Sequence, residues 1–166
     1  MKVNIAILTV TDTRSFDNDK SGDILVKKIE EANHVLLDRK ICKDDVDQII
    51  KILKDWINEK NIDVIITTGG TGLTGRDITP EALDKIADKK IPGFGEIFRY
   101  ISLSSVGTSA IQSRACAVLA NGKYIFALPG STGGVTDAWE KILKKQLDIN
   151  HKPCNFVELF PRLKEK

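Results

Sequence analysis

Residues 62–80 read IDVIITTGGTGLTGRDITP. The first seven are a run rich in β-branched residues, with Val64-Ile65-Ile66 at their centre, and read as a strand buried on both faces. The run passes directly into a loop with four glycines in seven positions, Gly69, Gly70, Gly72 and Gly75. Glycine inside a regular element costs about 0.5–1 kcal/mol relative to alanine, so such a cluster marks backbone that needs unusual angles or close approach. Thr79-Pro80-Glu81 then opens a helix, with Thr79 as expected N-cap and Pro80 at the first helical position, and EALDKIADKK continues it. Strand, glycine turn and helix together are the repeating unit of an α/β sheet.

The same unit recurs on both sides. Upstream, VNIAILTV (3–10) is another doubly buried strand, followed by a polar loop (11–22) and helical spacing from Asp23 to Asn33. HVLLDRKI (34–41) is a less apolar strand, expected nearer an edge, and residues 43–60 carry a helical stripe through Val46, Ile49, Ile50, Leu53, Trp56 and Ile57. Downstream, a helix is expected over 92–103. CAVLANGKYIFAL (116–128) is two strands joined by Asn121-Gly122, a strong hairpin signal. PGSTGG (129–134) forms a second glycine-rich turn ahead of a helix over 135–148, and the tail holds too many breakers for a long helix. The expected fold is a three-layer α/β/α domain over 1–166, its sheet mostly parallel with one antiparallel strand in the hairpin 116–128.

Ligands of such sheets sit beyond the carboxyl ends of the strands. The loops after 3–10, 62–68 and 123–128 should therefore share one edge, and two glycine-rich turns there suit an anionic, phosphorylated ligand. The glycine loop lacks the Gly-Lys-Ser/Thr ending of a P-loop, and it does not fit the dinucleotide fingerprint at the first strand–helix turn. His34 and His151 read as surface or structural residues, and no serine has a nucleophile-elbow context. Trp56 and Trp139 fall on helix stripes and read as core.

Composition narrows the classes further. With 42% hydrophobic and 29% charged residues and a formal net charge of +2, the chain has the make-up of an ordinary globular protein and no basic face for nucleic acid. No stretch approaches the ~20 apolar residues of a membrane span, and the start shows no signal-peptide pattern. Three cysteines without metal-ligand spacing fit reduced thiols in the cytoplasm. What remains for chemistry is acidic: Asp12 in the first loop, Asp44 and Asp45 at a helix start, and Asp77 after the glycines. For Asp44 and Asp45 the alternative is helix capping, and for Asp77 it is a solvated loop residue. A carboxylate beside a phosphate-cradling loop is also the usual partner of Mg²⁺.

TTGGTGLTGRDITPEA, IPGFGEIFR, TSAIQSRA and FALPGST, in this order, resemble the molybdenum-cofactor biosynthesis MoaB/MogA family, to which domains of gephyrin are related. The resemblance covers nearly the whole chain, and PGST with the PCNF tail resembles the MoaB branch. It implies a molybdopterin-binding fold whose active members adenylylate molybdopterin with ATP and Mg²⁺. It places the catalytic, magnesium-holding aspartates on Asp44 and Asp77, the first with Cys42-Lys43 replacing the usual Val-Pro and the second in an intact Arg76-Asp77-Ile78-Thr79-Pro80. It also assigns the phosphate and pterin loop to Thr68, Gly69, Gly70, Thr71 and Gly72, with Ser113, Arg114, Pro129, Gly130 and Ser131 on the same edge. Family members form trimers, paired into hexamers in the MoaB branch, and pass their product towards molybdenum insertion. The apolar set Phe94, Ile97, Phe98, Tyr100, Ile101 and Leu103 fits either an interface or a helix buried all round. A non-catalytic molybdopterin carrier and a different nucleotide-processing enzyme on the same fold are the competing readings.

Overall fold

The computed structural model describes residues 1–165. Its strands are β1 (Asn4–Val10), β2 (Val35–Cys42), β3 (Val64–Thr68), β4 (Lys89–Lys90), β5 (Cys116–Ala120) and β6 (Lys123–Leu128). They form one sheet in the order β2-β1-β3-β6-β5-β4. β3 and β6, buried at every residue, lie at its centre, and the less apolar β2 is an edge. β1, β2, β3 and β6 are mutually parallel, while β5 pairs antiparallel with both of its neighbours. The β5–β6 hairpin turns at Asn121 and Gly122, both at positive φ (47° and 75°), the backbone that Asn-Gly favours in two-residue hairpins.

The helices are α1 (Lys20–Glu31), α2 (Val46–Asn58), α3 (Thr79–Asp84), α4 (Pro92–Val106) and α5 (Thr132–Ala138). A π turn at Trp139–Leu143 carries α5 into α6 (Lys144–Gln146). Alternate strand residues feed two apolar layers. Ile5, Ile7, Val64, Ile66 and Phe126 pack with Leu25 and Ile29 of α1, Phe94 and Phe98 of α4, and Val135 and Trp139. Ala6, Leu8, Ile65 and Ile125 pack with Ile49, Leu53 and Trp56 of α2 and Leu83 of α3. The result is the expected three-layer sandwich, and both tryptophans are core residues.

Some boundaries differ from the sequence reading, each for a local reason. α1 begins at Lys20 rather than Asp23, because Asp19 caps it by accepting from Gly22 N. The helix from Thr79 stops at Asp84. Lys89 and Lys90 instead pair with Leu119 and Val118, satisfying the free edge of β5 with a two-residue strand whose lysines discourage further pairing. α5 begins at Thr132 because Ser131 accepts from Gly134 N. A 3-10 turn at Gly107–Gln112 follows α4, and another at Val157–Arg162 lies in the tail.

α4 resolves the question of its apolar residues. Phe94 and Phe98 are buried at 4% and 2% exposure, whereas Ile97, Tyr100 and Leu103 are 52%, 72% and 49% exposed. The helix therefore has one core face and one exposed apolar stripe, and Phe98 belongs to the core. Truncating it removes a ring stacked with Phe94, so Phe98→Ala should lower stability by about 3–5 kcal/mol. Urea unfolding measures this, and a loss below about 1 kcal/mol contradicts the packing assigned to α4.

Candidate active site

β1, β3 and β6 are adjacent and parallel, so their carboxyl ends deliver three loops to one edge. These loops enclose a cleft of about 460 Å³. The first loop contributes Thr11 and Arg14; the glycine loop contributes Gly69, Gly70, Thr71, Gly72, Arg76 and Asp77; the third contributes Pro129, Gly130 and Ser131. Asp44, Gln112 and Ser113 complete it from other segments.

The glycine loop is held rigidly from below. Gly69 N donates to Leu128 O, and Thr68 Oγ1 to Pro129 O at 2.8 Å, tying the second loop to the third. Gly69 sits at φ 102°, and a Cβ there would lie 2.2 Å from the Val10 carbonyl oxygen. Gly70, at φ 66°, has no room against Thr79 Oγ1. The first glycines thus let the loop press against β1 and α3, while Gly75 faces open space. Thr79 is not the side-chain cap expected of it: its hydroxyl donates to Gly69 O (2.9 Å) and its amide to Gly70 O (3.0 Å). The N-cap position falls on Ile78, which makes no side-chain cap.

Arg114 grips the same loop. Its Nε donates to Gly72 O and its Nη2 to Asp77 O, each at 2.7 Å, and its Nη1 pairs with Glu81. The guanidinium therefore braces the loop, and it lines a neighbouring hollow beside Glu96 and Arg99 rather than the cleft itself. The N–H groups of Gly70, Thr71, Gly130 and Ser131 donate to no protein acceptor among the described residues. They are free backbone donors of the site.

The acids sort clearly. Asp45, not Asp44, caps α2, accepting from Gln48 N at 2.8 Å. Asp44 is left to the cleft, with its amide donating to Asp12 Oδ1 and Arg76 Nη2 pairing with Asp12 Oδ2 at 2.8 Å. Burial, and then repulsion from Asp12, holds the Asp44 carboxyl above the usual aspartate range despite the nearby Arg76. Burial also pushes Asp77 up, but hydrogen bonds from the Thr74 hydroxyl (2.7 Å) and amide (2.8 Å) outweigh it and leave that carboxyl below the usual range.

No group of three His, Cys, Asp or Glu side chains able to hold a metal occurs among the described residues. Asp44 and Asp77 nevertheless line one cleft, and Asp77 is among the charges that raise Asp44. Two carboxylates fit Mg²⁺, which takes one or two of them together with water and phosphate oxygens. No histidine lines the cleft, and burial pushes the thiols of Cys42 and Cys116 up to about 12 and about 11, so neither is a ready nucleophile.

Sequence reasoning did not single out Arg14, Thr11 or Gln112. Thr11 and Arg14 lie in the polar loop after β1, and Gln112 stands next to Ser113 within TSAIQSRA, the signal that could have flagged it.

Residues 6–149 match the sequence profile of a family described as "Probable molybdopterin binding domain". The chain belongs to this molybdopterin-binding family. It is 45% identical over 161 residues to "Molybdenum cofactor biosynthesis protein B" of Escherichia coli K12, covering 97% of this chain and 93% of that one. The protein of the same name from Staphylococcus aureus COL is 48% identical over 150 residues, 88% of each chain. A crystal structure of a molybdenum cofactor biosynthesis protein B superposes with TM-score 0.90 at 36% identity, covering 100% of this chain and 98% of the other. The tungsten cofactor synthesizing protein MoaB from Pyrococcus furiosus gives 0.78 at 32% identity over 87% and 92%. Molybdenum cofactor biosynthesis and the three-layer MoaB/MogA fold follow. In addition, no helix among the described residues is long and apolar enough to cross a membrane.

The two neighbouring aspartates at the start of α2 should separate in a stability measurement. Asp44 has a higher proton affinity folded than unfolded, so between its two pKa values the folded state binds more protons and stability falls as pH rises. Asp44→Asn should therefore raise Tm at pH 7 and flatten that part of the pH profile. Asp45→Ala should cost about 1 kcal/mol through the lost cap. Calorimetric melting between pH 4 and 8 distinguishes them, and a lower Tm for Asp44→Asn contradicts this assignment.

Proposed function

We propose that this cleft binds molybdopterin and adenylylates it with Mg-ATP, releasing pyrophosphate. The observation that carries the proposal is the pairing of unpartnered backbone donors on two glycine-rich loops with two cleft carboxylates, Asp44 and Asp77. The terminal phosphate of molybdopterin attacks the α-phosphorus of ATP, forming one P–O bond as the bond to pyrophosphate breaks. That nucleophile is already an anion near neutral pH, so a site without histidine or thiolate suffices. Catalysis then consists of alignment and charge neutralisation. Asp44 and Asp77 would hold Mg²⁺, which supplies neutralisation of phosphate charge when bound. The amides of Gly70, Thr71, Gly130 and Ser131 bind phosphate oxygens, and the braces from Thr79 and Arg114 keep the glycine loop that carries the first two in place.

A molybdopterin carrier without turnover is the second reading. It is favoured by the two hydrogen bonds from Thr74 that occupy Asp77 Oδ2. Incubation with molybdopterin, ATP and Mg²⁺ decides between the two by formation of adenylyl-molybdopterin. Asp77→Asn should reduce the product at least a hundredfold with Tm within a few degrees of wild type. Wild-type turnover in that variant removes Asp77 from the mechanism.

The exposed stripe of Ile97, Tyr100 and Leu103 supports self-association into a trimer or hexamer. Light scattering should show a multiple of 18.4 kDa for the wild type and a smaller species for Tyr100→Glu. A wild-type monomer at micromolar concentration refutes the association.

A further inference from the structure

We propose that Arg14 is an anion anchor of the cleft, taking a phosphate oxygen of the bound ligand directly, and that the buried Asp19–Ser21 pair positions it. This deepens the reading of the cleft as a phosphate-ester site and rests on it. The case begins with the cations available. Arg76 is 72% exposed and paired to Asp12, and Arg114 is spent on Glu81 and two loop carbonyls. Arg14 lines the cleft and forms no ion pair among the described residues. Its Nη1 donates to two neutral acceptors, Ser21 Oγ and Gly130 O, both at 3.1 Å. A guanidinium has five N–H donors in a fixed plane. Holding Nη1 at two points therefore orients Nε and Nη2, which meet no protein acceptor among the described residues.

The support beneath Arg14 is stiff. Asp19 is fully buried, with Oδ2 accepting from Thr9 Oγ1 at 2.6 Å and from Arg39 Nη2 at 2.8 Å. Its Oδ1 accepts from Gly22 N at 3.1 Å and Ser21 Oγ at 3.3 Å. Because the Ser21 hydroxyl donates to this carboxylate, its lone pairs are turned towards Arg14. Gly22 has no Cβ because one would lie 2.1 Å from Asp19 Oδ2. Arg14 thereby bridges the loop after β1 to the loop after β6.

The cleft consequently has two kinds of wall. The side with Asp44 and Asp77 repels a bare anion and suits one that arrives with a metal ion. Arg14 sits with Gly130 and attracts an anion with or without metal.

The test is equilibrium binding of inorganic pyrophosphate by calorimetry in EDTA, so that no metal bridges the aspartates. Arg14→Gln should weaken binding roughly ten- to hundredfold, the range of a lost charge-assisted hydrogen-bond pair. Arg14→Lys should recover part of it, because an ammonium lacks the fork that reaches Ser21, Gly130 and the anion together. Ser21→Ala should weaken binding several-fold alone and add nothing in the Arg14→Gln background, a coupling that a purely structural serine does not show. Folding of each variant is checked by melting, and Arg14→Lys carries the test if Arg14→Gln does not fold. Unchanged pyrophosphate affinity in a folded Arg14 variant, absence of binding to the wild type at millimolar concentration, or additive losses for Ser21 and Arg14 overturns the proposal. Adenylyl-molybdopterin formation is read separately. Product with an unaffected Arg14 variant sinks the anchor alone, and an Arg14-dependent pyrophosphate site without product sinks the adenylylation alone.

Discussion

Three strands lying side by side in parallel, with apolar packing on both faces, constrain everything else in this molecule. β1, β3 and β6 must end at the same edge, and each must then turn back across a helix layer. The chain has little space in which to do so: the backbone of Gly69 passes so near the Val10 carbonyl that no side chain fits between them. That contact locks the second loop to the first strand, while Thr68 and Leu128 lock it to the third loop. A floor for the cleft follows from sheet packing before any ligand-binding residue is considered.

On this floor the polar groups are divided between structure and site. Arg114, Thr79, Asp45 and Asp19 look reactive by residue type, yet each is engaged with backbone groups or buried partners of the fold. Asp44 is the reverse case. Its charge is disfavoured by burial and by Asp12, and among the described residues it caps no helix and forms no ion pair. Carboxylates perturbed in this way cluster at sites that bind or react, which is what motivates the role proposed for Asp44.

Much of this was readable from the chain. The buried runs 3–10, 62–68 and 123–128 fixed the strands, Asn121-Gly122 the hairpin, and the glycine clusters the edge on which the cleft lies. Periodicity could not reveal β4, because two lysines next to a helix carry no strand signal until β5 presents an open edge. It missed the true start of α1 because Gly22 reads as loop, whereas it is required by the folded-back Asp19 carboxylate. Residue type and position alone do not separate Asp44 from Asp45; the family resemblance pointed to Asp44, and the fold adds that Asp45 is the one that accepts from Gln48 N. Phe98 and Tyr100 similarly separate only once the helix is seated on the sheet.

The position of β6 also governs what happens to an incomplete chain. Val64 in β3 is paired with Tyr124, far along the sequence, and the intervening segment supplies α3, α4 and most of the hairpin. Until residues 123–128 are present, β3 has one bare edge: five consecutive uncharged residues, Val-Ile-Ile-Thr-Thr, with unsatisfied amides and carbonyls. An uncharged strand of this kind is a template for pairing with another molecule. Messages or proteolysis products that end before β6 therefore yield chains prone to aggregate through the central strand of the sheet.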